Sequence, residues 1–139
     1  MRAVPTALRR VLYVDDNPML IKLVERIFAS DPAVTVQTAP DGAAALHLAA
    51  QQQPDIVFLD LHLSDMSGAV LLQRFQSDPR TRSVPAVIVS GDTSPATIER
   101  LTRLGAAAYL TKPFTSAQLR ELIAAVGRPT AASSSPVIG

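Results

Sequence analysis

The sequence predicts an α/β fold, a (βα)5 doubly wound, five-stranded parallel sheet with helices on both faces. Three observations point to it. Five short apolar runs alternate with five segments of helical periodicity, the pattern of strand–helix–strand units. The runs are apolar at successive positions, as strands covered on both faces are. Finally, the ends of the first, third and fourth runs carry polar residues (Asp15-Asp16, Asp60 and Ser90), and open α/β sheets place their chemistry at that edge.

The elements follow in order. Val11 to Val14 is the first strand. Asn17-Pro18, an N-cap followed by proline at the first helical position, opens a helix with Leu20, Ile21, Leu23, Val24, Ile27 and Phe28 on its apolar side. Asp31-Pro32 turns the chain, and the β-branched run Val34 to Thr38 is the second strand. Pro40-Asp41-Gly42 opens an alanine-rich helix to about Gln52. Pro54 ends it and leads into the central strand, Asp55 to Asp60. After Gly68, Val70, Leu71, Leu72 and Phe75 mark a third helix, closed by Ser77-Asp78-Pro79. Pro85 to Val89 is the fourth strand. Ser94-Pro95 begins a helix with Ile98, Leu101 and Leu104 inside, Glu99, Arg100 and Arg103 outside, and Gly105 as C-terminal cap. Ala107 to Leu110 is the fifth strand. Thr115 and Gln118 have capping-box spacing ahead of a last helix lined by Leu119, Leu122, Ile123 and Val126. The expected organisation is an N-terminal extension over 1–8, one domain over 9–127, and a Pro/Ser/Ala-rich disordered tail or linker start over 128–139.

Composition narrows the function classes. With 139 residues, 47% of them apolar, the chain can build one packed core. A net charge of +1 gives no electrostatic reason to expect direct nucleic-acid binding. The absence of cysteine removes thiol catalysis, disulfides and cysteine-type zinc sites. No signal-peptide core or membrane-length apolar run is read, so the expectation is a soluble cytoplasmic domain.

The fold class brings Asp15, Asp16, Asp60, Ser90 and Lys112 to one sheet edge. Two carboxylates ~4 Å apart repel by about 4 kcal/mol at an effective dielectric of ~20, so three together need protons or a cation. Oxygen ligands without histidine or cysteine favour a hard ion, Mg2+ or Mn2+. A carboxylate beside such an ion and a lysine is a plausible nucleophile toward phosphorus, with aspartyl phosphate as the product.

Tyr13 to Pro18 (YVDDNP), the Phe58-Leu59-Asp60 strand end with Gly68 beyond it, Val89-Ser90-Gly91 and Thr111-Lys112-Pro113-Phe114 stand in the order and spacing of a known family. Over roughly residues 9 to 126 the chain resembles a bacterial response-regulator receiver domain of the CheY-like superfamily. The resemblance implies the strand order 2-1-3-4-5, Asp60 as phosphoacceptor, Asp15 and Asp16 as the acidic pair, and Asp16 as the more direct Mg2+ ligand. It further implies the backbone carbonyl of His62 as third protein ligand, Ser90 as switch hydroxyl, Lys112 as phosphoryl clamp, Tyr109 as switch aromatic and a cis Lys112–Pro113 bond. A histidine kinase or phosphotransfer protein would donate the phosphoryl group. The response would be a changed surface on the fourth helix, fifth strand and fifth helix, read by a downstream protein or a linked output domain, in a monomer or a phosphorylation-dependent homodimer.

The chain departs from the family pattern in the loop after Asp60. Leu63-Ser64 stands where Met-Pro is usual, and Ser67 where an acidic residue often precedes the glycine, so a less rigid loop is expected. His62 and Asp92 flank the expected path of an attacking water, His47 lies within a helix, and Arg100 and Arg103 form a solvated face. Three other readings compete. An aspartate-nucleophile phosphohydrolase would place a second Asp two residues after the nucleophile, where His62 stands. A flavodoxin-like binder needs a phosphate loop where Asp15-Asp16 would repel phosphate. A phosphorylation-independent interaction module would leave the acidic-and-lysine set without a purpose.

Overall fold

The computed structural model describes residues 9–126 and 137–138. Five strand–helix units run in order: β1 Arg9–Val14, α1 Pro18–Phe28, β2 Val34–Ala39, α2 Gly42–Gln51, β3 Ile56–Asp60, α3 Gly68–Ser77, β4 Ala86–Ser90, α4 Pro95–Arg103, β5 Ala108–Thr111 and α5 Ser116–Val126. All strand pairs are parallel, and the five strands stand in the order 2-1-3-4-5. A sixth, β6 (Val137–Ile138), lies parallel to β5 through Tyr109↔Val137 and Leu110↔Ile138. At those two residues the structure departs from the expected structureless tail. Without β6, β5 would be an edge strand presenting unpaired backbone groups, which any extended segment can satisfy. The expected N-terminal extension (1–8) and the rest of the tail (127–136 and 139) lie outside the described residues.

The core divides by strand parity. Leu12, Val14, Val57, Leu59, Ile88 and Tyr109 face one way and meet Ala45, Ala49, Leu71, Leu72, Phe75 and Leu101 of α2, α3 and α4. Val11, Tyr13, Ile56, Phe58, Val87, Val89 and Leu110 face the other way and meet Val24, Phe28, Leu119, Leu122 and Ile123 of α1 and α5. Successive side chains of a strand alternate faces, so a run apolar throughout must be covered on both sides. β3 and β4 are buried at every residue.

Local signals set the helix ends. Asn17 Oδ1 accepts from the Met19 amide, Asp41 Oδ1 from Ala44 and Ser94 Oγ from Thr97. Thr115 and Gln118 form a reciprocal capping box: the Gln118 amide donates to Thr115 Oγ1 (3.1 Å), and the Thr115 amide to Gln118 Oε1 (2.8 Å). Gly105 closes α4 at φ +108°, a left-handed conformation that L side chains rarely adopt.

Candidate functional site

Strand register delivers the polar residues to one place. Val14 pairs with Leu59, so Asp15 and Asp60, each the next residue, leave adjacent strands side by side. Asp60 pairs with Val89, putting Ser90 one step further along β4. Ser90 pairs with Thr111, and the Lys112 amide donates to the Ser90 carbonyl at 2.8 Å. All five expected residues therefore reach the carboxyl edge of the sheet, at the reversal of strand order between β1 and β3.

Lys112 is the electrostatic centre. Its Nζ lies 3.3 Å from Asp15 Oδ2 and 3.4 Å from Asp60 Oδ1. Asp15 is fully buried and its carboxylate is held on both oxygens: Tyr13 Oη donates to Oδ2 (2.9 Å) and the Asn17 amide to Oδ1 (2.9 Å). Asp16, by contrast, is exposed. Asp60 is buried and receives a long hydrogen bond from the His62 amide (3.4 Å). Burial raises the Asp60 carboxyl above the usual aspartate range; Lys112 opposes that rise, Asp15 adds to it and the His62 amide opposes it. The Tyr13 phenol is pushed well above its ordinary value, first by burial and then by the negative charge of Asp15.

Ser90 and Tyr109 belong to a second, connected network. Both are buried. Ser90 Oγ accepts from the Asp92 amide (3.0 Å), and Tyr109 Oη donates to the Asp92 carbonyl (2.5 Å). The Tyr109 ring thus occupies the inward position, packed within the core. The Asp92 carboxylate, exposed, accepts from the Ser94 amide (2.8 Å) and from Thr97 Oγ1 (3.0 Å), and these bonds lower its pKa. The Lys112–Pro113 peptide is cis.

The loop from Leu61 to Ser67 is closed at its base by the Gly68 amide donating to the Leu61 carbonyl (2.7 Å) and by an antiparallel bridge between His62 and Ser67. A Cβ on Gly68 would lie 2.6 Å from the Asp60 carbonyl oxygen, so only glycine allows this approach. At its tip, Asp65 Oδ1 accepts from the Gly42 amide (2.9 Å) and Oδ2 from Ala43 (3.0 Å). The looseness expected from the missing proline is therefore offset by a contact with another element.

Asp15, Asp16 and Asp60 each offer a carboxylate oxygen within 4.8 Å of the others, a donor set suited to a hard divalent ion. The exposure of Asp16 beside two buried carboxylates suits an ion that keeps part of its water shell. The His62 and His47 side chains are exposed, and Arg103 pairs with Glu99 (2.9 Å) on the outer face of α4.

Sequence reading passed over Tyr13 and Asp65 as site residues. Tyr13 stands two positions before Asp15, and period-2 alternation puts both on one side of the strand; that spacing was available as a signal. Asp65 had none, because its partners are 22 and 23 residues away in α2.

The response regulator receiver domain family model matches residues 11–124. Among curated proteins, the chain is 38% identical over 131 residues to the transcriptional regulatory protein KdpE of Mycobacterium tuberculosis, covering 92% of this chain and 56% of that protein. It therefore spans about half the length of that relative. Among solved structures, the signal receiver domain of the Mycobacterium tuberculosis response regulator NarL superposes with a TM-score of 0.81 at 27% identity, over 90% of this chain and 100% of that one. The receiver domain of the Pseudomonas aeruginosa sensor histidine kinase PA1611, described with a magnesium ion coordinated in its active site cleft, superposes at 0.76 and 27% identity, over 88% of this chain and 100% of that one. Among the described residues, no helix is long and apolar enough to cross a membrane.

Proposed function

The chain belongs to the response regulator receiver domain family, and from that premise we propose that it is a phosphorylation-controlled switch whose phosphoacceptor is Asp60. The observation that carries the reading is the Lys112 ammonium shared between Asp15 and Asp60, with Asp16 within ion-bridging reach. Asp15, Asp16, Asp60 and the His62 carbonyl would hold Mg2+ (or Mn2+). When bound, that ion supplies positive charge against the carboxylates and the phosphoryl oxygens.

This chain's own residues do the rest. An Asp60 carboxylate oxygen attacks the phosphorus of a phosphohistidine on a kinase or phosphotransfer protein. The P–N bond breaks, the imidazole takes the electron pair, and an aspartyl phosphate remains. Lys112 pairs with the new phosphoryl oxygens, and Ser90 Oγ donates to one of them. Ser90 at present accepts from the Asp92 amide, and the Asp92 carbonyl accepts from Tyr109, so recruiting the hydroxyl disturbs the contacts that tie β4 and β5 to the loop leading into α4. The altered face is that of α4, β5 and α5, and it is read by a downstream protein or a linked output domain, in a monomer or a phosphorylation-dependent homodimer. The setting is cytoplasmic, away from membrane and without direct nucleic-acid contact. Phosphoryl acceptance on Asp60, with slow self-dephosphorylation, replaces turnover of a substrate.

Incubation with Mg2+ and a small phosphodonor such as acetyl phosphate, followed by intact mass measurement, should show one added phosphoryl group that Asp60→Asn abolishes. No mass gain, or a gain that survives the substitution, would refute the reading.

A further inference from the structure

The loop after Asp60 carries His62, and this chain lacks the proline that would stiffen it. A different restraint occupies the loop tip. The Asp65 carboxylate accepts from the Gly42 and Ala43 amides, the first two N–H groups of α2, while Asp41 takes the third from Ala44. A helix leaves these groups without partners of its own and favours negative charge there, so the clamp is both geometric and electrostatic. The neighbouring Met66 side chain fills the space over Gly42, where a Cβ would lie 2.6 Å from its Sδ. With Leu61–Gly68 and His62–Ser67 closing the base, the loop is held at both ends.

We propose that Asp65 is a positioning residue for divalent-ion binding, clamping the loop tip to α2 and so holding the His62 backbone in place beside Asp60. The inference rests on the metal-dependent reading of the site. The Asp65 carboxylate is engaged by the α2 amides and stands outside the cluster of Asp15, Asp16 and Asp60. Only Leu63 and Ser64 separate it from His62, along a chain whose Cα atoms are ~3.8 Å apart, so releasing the tip frees the carbonyl to move.

The test uses the full chain with Mg2+ alone, titrated by amide chemical shifts, alongside hydrogen exchange at Gly42 and Ala43. Asp65→Ala should abolish protection at those two amides and weaken Mg2+ binding roughly tenfold, the low end of what outer-shell partners contribute. Asp65→Asn keeps an acceptor oxygen and should fall between. Asp41→Ala strips the Ala44 bond from the same helix end without touching the loop; it should lower stability yet hold Mg2+ affinity within about twofold of the unmodified chain. Unchanged affinity in Asp65→Ala, with the sheet amide shifts intact, overturns the proposal. So does an equal loss in Asp41→Ala, which would make the effect one of helix stability. Failure of the unmodified chain to bind Mg2+ would instead overturn the metal reading, and this inference with it.

Discussion

Replacing Lys112 by methionine isolates the electrostatics of the site, since it removes the charge and keeps most of the side chain's volume. At 3.3 and 3.4 Å, with an effective dielectric of ~20, the ammonium's attraction to Asp15 and Asp60 is about 5 kcal/mol for each contact before desolvation. Taking the charges out of water offsets much of that, and the Lys112 side chain is still 24% exposed, so solvent screens part of the remainder. Two buried carboxylates then lose their shared cation, for which a net loss of about 2–4 kcal/mol is reasonable against a typical total of ~5–15 kcal/mol. The sign of the pH dependence follows from Asp60. Burial and Asp15 raise its pKa above the unfolded value, and the variant has lost the largest opposing influence, Lys112. A group whose folded pKa is raised binds its proton first in the folded state, so stability is regained as pH falls through that raised pKa toward the unfolded value. The variant should therefore recover more than the parent on acidification. Added Mg2+ should also stabilise it more, because the ion no longer competes with an internal cation. Urea unfolding at several pH values, with and without Mg2+, measures all three effects. An unchanged midpoint, a deficit that grows toward acid, or a smaller Mg2+ increment than in the parent would refute the reasoning.

Two further expectations concern the supports of the site. Tyr13→Phe removes the buried donor to Asp15 Oδ2 and should lower stability by about 1–3 kcal/mol in urea unfolding. In the parent, the raised Tyr13 pKa means its contribution is intact below the unfolded value of ~10 and is lost as pH rises toward the folded pKa. Tyrosinate absorbance should accordingly show Tyr13 ionising only with alkaline unfolding, and free titration near pH ~10 in the folded chain would contradict its burial. Gly68→Ala would press a Cβ to 2.6 Å from the Asp60 carbonyl oxygen and 2.8 Å from Leu61 Cα, backbone atoms that have no rotamer to escape into. A loss of about 1–3 kcal/mol is expected, read from the same unfolding curves, and a neutral result would mean the loop shifts freely.

Most of the fold was legible because its signals are local. Apolar runs such as Ile56 to Leu59 state burial on both faces without reference to anything distant. The Thr115/Gln118 box and the caps at Asn17, Asp41 and Ser94 are written within four residues of sequence. The site was legible for a related reason. Asp15, Asp60, Ser90 and Lys112 each close or follow a strand, so naming the strands places them on one edge. Register then brings them together with no further information. Val137–Ile138 misled because two residues have no periodicity to read, and their pairing depends on an open edge at β5.

By itself the sequence determined the alternation of strands and helices, the caps that bound them and the set of polar residues at the strand ends. These follow from backbone sterics and burial, which act over a few neighbouring positions. Tertiary structure alone decided that one ammonium sits between Asp15 and Asp60, that Tyr13 anchors the buried carboxylate, and that Asp65 reaches across to α2. Those are matters of ångströms between segments far apart in the chain, and Coulomb energies and hydrogen bonds depend on such distances too steeply for residue order to specify them.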